Sequence, residues 1–132
     1  MPLRLQFSIG MRVPLYCTAS GKLYLSTLPR ARRMTIVGKL KMVKHAKNTI
    51  TDPDELLAQI EEINRTEVSI DNQELYDDVI AIAVPIKDRQ GRFYSSLAIQ
   101  APTTRVSTAD RDKYVPLLLS AAEELSRLAD DD

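Results

Sequence analysis

The chain contains one cysteine, Cys17, and no tryptophan. A single cysteine excludes an internal disulfide framework and a cysteine-rich zinc site. No apolar run approaches the roughly 20 residues that a membrane-spanning helix requires. The first residues also lack the long apolar stretch of a secretory signal peptide, so we expect a cytoplasmic protein with no membrane partner. The four glycines are scattered, so no glycine-rich phosphate-binding motif occurs.

The composition is that of an ordinary globular protein. Hydrophobic residues make up 44% and charged residues 27% of the 132 residues, which suits one folded domain. The net charge of zero conceals an asymmetry, because residues 1–51 carry +10 and residues 52–132 carry −10. Either the two parts pack together and their fields cancel, or the N-terminal part presents a surface to nucleic acid or an acidic partner.

The N-terminal part contains one predicted strand and one well-marked helix. Residues 3–7 alternate between apolar and polar side chains, which predicts a strand with one buried face. Thr18 stands where an N-cap would, so residues 19–28 are predicted to form a helix that ends at Pro29. A further helical turn is expected after Pro29, and residues 38–48 are expected to form a short helix or a loop.

The C-terminal part contains the predicted core of the sheet. Asp52 and Pro53 mark the start of a helix that should end near residue 65. A short strand is expected at residues 68–70. A buried strand over 79–86 should pair with a strand over 93–99 through a turn that ends at Gly91.

The last helix should open at Ser107 or Thr108, with Asp110 in its first turn. Pro116 lies inside its apolar pattern, so it either kinks this helix or delays its start until after Tyr114. The order of elements predicts an α+β fold, with an antiparallel sheet flanked by helices.

The residues that usually carry catalysis are sparse. Cys17 and His45 are the only residues of their types and are far apart in sequence, which favours a buried thiol and a solvated imidazole over a nucleophile pair. An acidic cluster at residues 71–78 has no nearby histidine or cysteine, which favours a solvated turn over a metal site. We therefore expect no enzymatic activity, no metal and no cofactor.

The segment from Gly10 to Lys22 predicts an anion site. A turn there leads into a helix that begins with small residues, so a ligand has room to approach the backbone. The free N–H groups at a helix start favour a carboxylate or phosphate, and Lys22 adds positive charge nearby. An ordinary capped helix packed closely on a sheet remains the alternative.

A series of short motifs occurs in one order across the chain: Gly10, Arg12, Pro14-Leu15, Thr18-Ala19, Gly21-Lys22, Leu28-Pro29, Thr49-Ile50-Thr51-Asp52, Asp71-Asn72-Gln73-Glu74, Ile82-Ala83-Val84-Pro85, Gly91, Ala101-Pro102 and Arg105. In these motifs the chain resembles the effector-binding domain of the IclR-type (isocitrate lyase regulator) transcription factors. The resemblance implies a GAF/PAS-like sheet that holds a small-molecule effector. It also implies a homodimer or homotetramer, with DNA bound through a winged helix-turn-helix that we expect to be absent from this partial domain.

The resemblance also supplies candidate effector-binding residues: Val13, Ala19, Ser20, Asp71, Val79, Ala81, Ala98 and Gln100. The amides of Ala19 and Ser20 should face a hollow covered by the predicted hairpin and receive an effector carboxylate. Some family members have cysteine or serine where Ala81 and Ala98 stand, so a more apolar pocket is expected here. A stand-alone module that binds a small molecule or another protein, without any role on DNA, is the alternative function.

Overall fold

A computed structural model describes the backbone of residues 14–130 and the side chains of residues 14–128. The predicted strand at residues 3–7 and the candidate Val13 lie outside the described residues. The elements, in chain order, are α1 (Ala19–Thr27), α2 (Arg30–Lys39), α3 (Pro53–Thr66), β1 (Ser69–Asn72), β2 (Val79–Lys87), β3 (Phe93–Pro102), a 3₁₀ turn (Thr108–Asp110) and α4 (Arg111–Asp130).

The described sheet has three antiparallel strands in the order β1-β2-β3. Together with the flanking helices it confirms the predicted α+β class. Successive residues of a strand face opposite sides, so the sheet has two faces with different partners. One face packs against α4, where Ile82 and Val84 meet Leu118 and Ala122. The other face packs against α1 and α3.

A second apolar cluster joins the helices to one another. It contains Tyr16, Leu25, Val37 and Ile60, which are at most 4% exposed. The basic N-terminal part is thus anchored to the acidic C-terminal part by apolar contacts as well as by charge. Within residues 14–130, no helix is both long and apolar enough to cross a membrane.

The predicted helix caps are confirmed. The hydroxyl of Thr18 accepts a hydrogen bond from the N–H of Gly21 at 3.0 Å, and Asp52 caps α3 by accepting from Asp54. Ser107 and Asp110 form a reciprocal capping box ahead of α4. These caps satisfy donors that a helix start leaves without partners.

Pro85 lies inside β2, and Pro116 lies inside α4. Pro85 follows the last β2 residue that pairs with β1, Ala83, and precedes a register shift at Ile86 and Lys87. Among the described strands, its missing N–H therefore falls where β2 pairs with β3 and no longer with β1. The last helix begins at Arg111 and contains Pro116, so the alternative of a start after Tyr114 is wrong.

Candidate ligand-binding site

Most of the predicted site residues share the sheet face that lies beneath α1. Register pairing places them in two rows across the three strands, Asp71–Ala81–Gln100 and Ser69–Ala83–Ala98. Val79 lies two residues before Ala81 on the same face of β2. The sheet therefore brings together five candidate residues from three strands: Asp71, Val79, Ala81, Ala98 and Gln100.

The start of α1 rests on these rows. Ala19 is 3% exposed and packs against Ala81 and Ala83. The next residue, Ser20, contacts the third strand, because the hydroxyl of Ser96 donates a hydrogen bond to its Oγ at 3.0 Å. The space directly between Ala19 and β2 is thus filled by methyl groups.

The open part of this face lies along β3. Ala98 and Gln100 are exposed there, whereas Ala81 and Val79 on the neighbouring strand are buried. A ligand on this face would therefore lie over β3, beside the start of α1. The side-chain amide of Gln100 offers one donor and one acceptor group to it.

The first amides of α1 have no acceptor within the helix. Those of Ala19 and Ser20 precede the first helical hydrogen bond, which runs from the N–H of Lys22 to the carbonyl of Thr18. The hydroxyl of Thr18 takes the N–H of Gly21. These two amides lie at the positive end of the helix dipole, which is the end that favours an anion.

Lys22 was expected to add positive charge to that anion site, and this expectation is wrong. Its side chain is fully buried, and its ammonium donates to both carboxylate oxygens of Glu74, at 2.7 and 2.9 Å. The acidic turn is correspondingly not solvated throughout, since Asp71 and Glu74 are 4% and 5% exposed. Nothing local in the sequence signals this pairing, because the two residues are 52 positions apart.

Asp71 is the titratable group of the candidate site. Burial raises the pKa of this carboxyl to about 6, although the N–H of Glu74, which donates to Oδ1 at 2.8 Å, and the charge of Lys22 act in the opposite direction. The nearby charge of Glu74 adds to the rise. Asp71 can therefore donate a hydrogen bond in mildly acidic solution and accept one from a hydroxyl when it is ionised.

Cys17 and His45 do not form a nucleophile pair. Burial raises the pKa of the Cys17 thiol to about 12, which keeps it protonated. The Nε2 atom of His45 lies 3.0 Å from the hydroxyl of Tyr16 instead. The described side chains include no group of three or more histidine, cysteine, aspartate or glutamate residues placed to hold a metal ion.

A cavity that the sequence does not predict lies at the other end of the same sheet face. This hairpin-end cavity has a volume of about 500 Å³ and is lined by α1, α3 and the two strands next to the β2–β3 turn. None of the predicted site residues that the structure describes lines it. Its walls come from three distant segments of the chain, so only the turn at Gly91 marks any part of it in the sequence.

Comparison with known proteins identifies relatives over nearly the whole chain. The family described as "Bacterial transcriptional regulator IclR C-terminal" matches residues 2–127. A probable transcriptional regulator, SauR of Cupriavidus necator, is 39% identical over 124 residues, which are 94% of this chain and 49% of that protein. The chain spans about half the length of the curated relatives it matches.

Solved structures give the same result for the fold. The C-terminal domain of the E. coli transcriptional regulator KdgR matches with a TM-score of 0.81 and 32% identity, over 91% of this chain and 73% of that one. A double mutant of the inducer-binding domain of PobR from Acinetobacter, in complex with 3-hydroxybenzoic acid, matches with a TM-score of 0.83 and 31% identity. That match covers 88% of this chain and 67% of the PobR chain.

Proposed function

We propose that this chain, which belongs to the IclR family of bacterial transcriptional regulators and matches its GAF/PAS-like C-terminal domain, senses a small carboxylate-bearing metabolite. The observation that carries the proposal is the row Asp71–Ala81–Gln100 beside the start of α1. This row places polar groups on both sides of an apolar floor. The family supplies the reason to expect an effector on this face.

The chemistry of the face favours a hydroxy-substituted carboxylic acid. The amides of Ala19 and Ser20 are suited to the carboxylate, and Gln100 or Asp71 is suited to a hydroxyl. Because Ala19 covers Ala81, the open part of the face lies over β3, where the exposed side chain of Gln100 is the nearer partner for the hydroxyl and the buried Asp71 lies behind β2. The complex of the related PobR domain with 3-hydroxybenzoic acid supports this class of ligand.

Effector binding would act on DNA through a separate domain. A ligand changes the balance between two arrangements of a protein when it binds one of them more tightly. In this proposal, the effector changes the arrangement of a homodimer or homotetramer. The spacing of helix-turn-helix domains supplied elsewhere in the regulator changes with it.

Isothermal titration calorimetry against benzoate, 3-hydroxybenzoate, 4-hydroxybenzoate and pyruvate tests the proposal. We expect at least one acid to bind, and Ala98→Trp to weaken its binding at least about tenfold, because the indole would cover the open part of the face. Ala58→Trp, at an exposed position of α3, is the matched control and should leave binding unchanged. If no acid binds to the folded chain, or if Ala98→Trp binds as well as wild type, the proposal is wrong.

A further inference from the structure

The hairpin-end cavity has the size and lining of a small-molecule site. Its volume of about 500 Å³ lies within the range of roughly 300–1,000 Å³ that is usual for ligand pockets. Its apolar surface comes from Leu23 and Ile63, which are almost fully buried, together with Phe93 and Pro85. The rings of Tyr24 and Phe93 meet at a centroid distance of 6.2 Å on one side. This lining favours an aromatic or branched apolar body.

The helix ends that border the cavity contribute partial negative charge to it. Both α1 and α3 end there, at Thr27 and Thr66, and a helix carries partial negative charge at its C-terminus. Asn64 joins the two ends, because its amide donates a hydrogen bond to the carbonyl of Ser26 at 2.8 Å. The last turn of α1 contains no basic residue, and the one in the last turn of α3, Arg65, pairs with Glu62.

One carboxylate and two basic side chains lie at the rim of the cavity. The carboxylate of Glu67 lines the cavity, and its partner Lys87 lies 2.7 Å away in an ion pair that is nearly half exposed. Exposed ion pairs of this kind are weak, so a second cation can replace Lys87 at little cost. Arg92, the other cation at the rim, already pairs with Asp88 at 3.0 Å.

We propose that the hairpin-end cavity binds a small primary amine with an aromatic or branched apolar body. Its ammonium group pairs with Glu67 near the C-terminal ends of α1 and α3. Its apolar body lies on Leu23, Ile63 and Phe93. This site is distinct from the proposed effector site, because no described residue assigned to the effector lines the cavity.

The test compares two probes with the same body and opposite charge, 2-phenylethylamine and 3-phenylpropionate. Titration of the full chain, followed by NMR chemical shifts or calorimetry, should give at least about tenfold tighter binding of the amine. Equal binding of the two probes would refute the proposal. So would preference for the acid, or failure of the folded chain to bind the amine at millimolar concentration.

Two substitutions that move binding in opposite directions make the test specific. Glu67→Gln removes the carboxylate and should weaken amine binding up to about fivefold, whereas Lys87→Met removes the competing cation and should tighten it. Glu62→Gln, at an exposed position of α3 outside the cavity, is the matched control. If Lys87→Met weakens amine binding, or if Glu67→Gln leaves it unchanged, the assignment is wrong.

A further variant separates this proposal from the effector proposal. Ala98→Trp covers the open part of the effector face and should leave amine binding unchanged. If Ala98→Trp abolishes the binding of both the acid and the amine, the two ligands share one site and the second site does not exist. If the acid fails to bind to any variant while the amine binds as predicted, only the effector proposal is wrong.

Discussion

The ammonium of Lys22 lies 2.7 Å from Oε1 of Glu74, and both side chains are buried, at 0% and 6% exposed. The same ammonium donates to the backbone carbonyl of Ile70 and to the side chain of Gln59, at 2.7 and 2.9 Å. Lys22 thus connects α1 to β1, to α3 and to the turn that follows β1. Because it lies one helical turn after Ala19, this contact fixes the start of α1 against the sheet.

We expect Lys22→Met to destabilise the fold by about 3–5 kcal/mol, because it leaves the carboxylate of Glu74 buried without its counter-ion. Urea unfolding at neutral pH measures the loss. Lys87→Met is the control, since its pair with Glu67 is nearly half exposed and should contribute less than about 1 kcal/mol. A loss for Lys22→Met no larger than that of the control would show that the buried pair does not stabilise the fold.

Gly21 is required by close packing at the start of α1. A Cβ atom at this position would lie 2.5 Å from both the carbonyl oxygen of Leu15 and the hydroxyl of Thr18. We therefore expect Gly21→Ala to lower the free energy of unfolding by about 1–3 kcal/mol, because the turn must shift or lose the cap. Thermal and urea unfolding measure the change.

The matched control for Gly21 is another helical glycine, Gly38. A Cβ atom there has no neighbour within 4 Å, so Gly38→Ala should leave stability unchanged or raise it by up to about 1 kcal/mol through reduced chain entropy in the unfolded state. If both variants behave alike, then the close contact with Leu15 does not determine which residue position 21 accepts.

The parts of the fold that sequence predicts well depend on short-range chemistry. Thr18, Asp52 and Ser107 mark helix starts because a cap bonds to backbone groups two or three residues away. The β2–β3 hairpin is equally local, since Asp88 accepts from the N–H of Gln90 and Gly91 takes a positive φ of 80°. Hydrogen bonds between residues a few positions apart in the chain determine these features.

The parts that sequence predicts poorly depend on contacts between distant segments. Lys22 was expected to add charge near a ligand because the pattern around it shows a helix start, not a carboxylate 52 positions later. The hairpin-end cavity likewise forms only when α1, α3 and the hairpin pack together. The effector-site residues came from the family resemblance, and the rows that bring them together follow from strand register.

The thiol of Cys17 should be unreactive in the folded protein. It is 0% exposed, and burial raises its pKa to about 12, so at pH 8 only about one thiol in 10⁴ is ionised. We expect an aromatic disulfide reagent to label Cys17 at least about 100-fold more slowly in buffer than in denaturing urea. Rapid labelling of the folded chain would contradict the burial of this residue.

The raised pKa of Asp71 predicts how stability depends on pH. The folded state holds this proton up to about pH 6, whereas the unfolded state releases it near its ordinary pKa of 3.8. Between these two values the folded state binds more protons, so the contribution of Asp71 to stability is largest below pH 4 and falls as the pH rises to 6. A shift of about two pH units corresponds to a loss of up to about 3 kcal/mol.

Asp71→Asn isolates this contribution. Asparagine keeps an oxygen that can accept from the N–H of Glu74 but cannot ionise, so the variant should gain stability relative to wild type as the pH rises from 4 to 6 and keep that gain above it. Asp78→Asn is the control, because this exposed residue has a positive φ of 64° that asparagine tolerates. Urea unfolding at several pH values from 4 to 8 gives the difference between each variant and wild type. A constant difference across this range for Asp71→Asn would show that the carboxyl titrates alike in the folded and unfolded states.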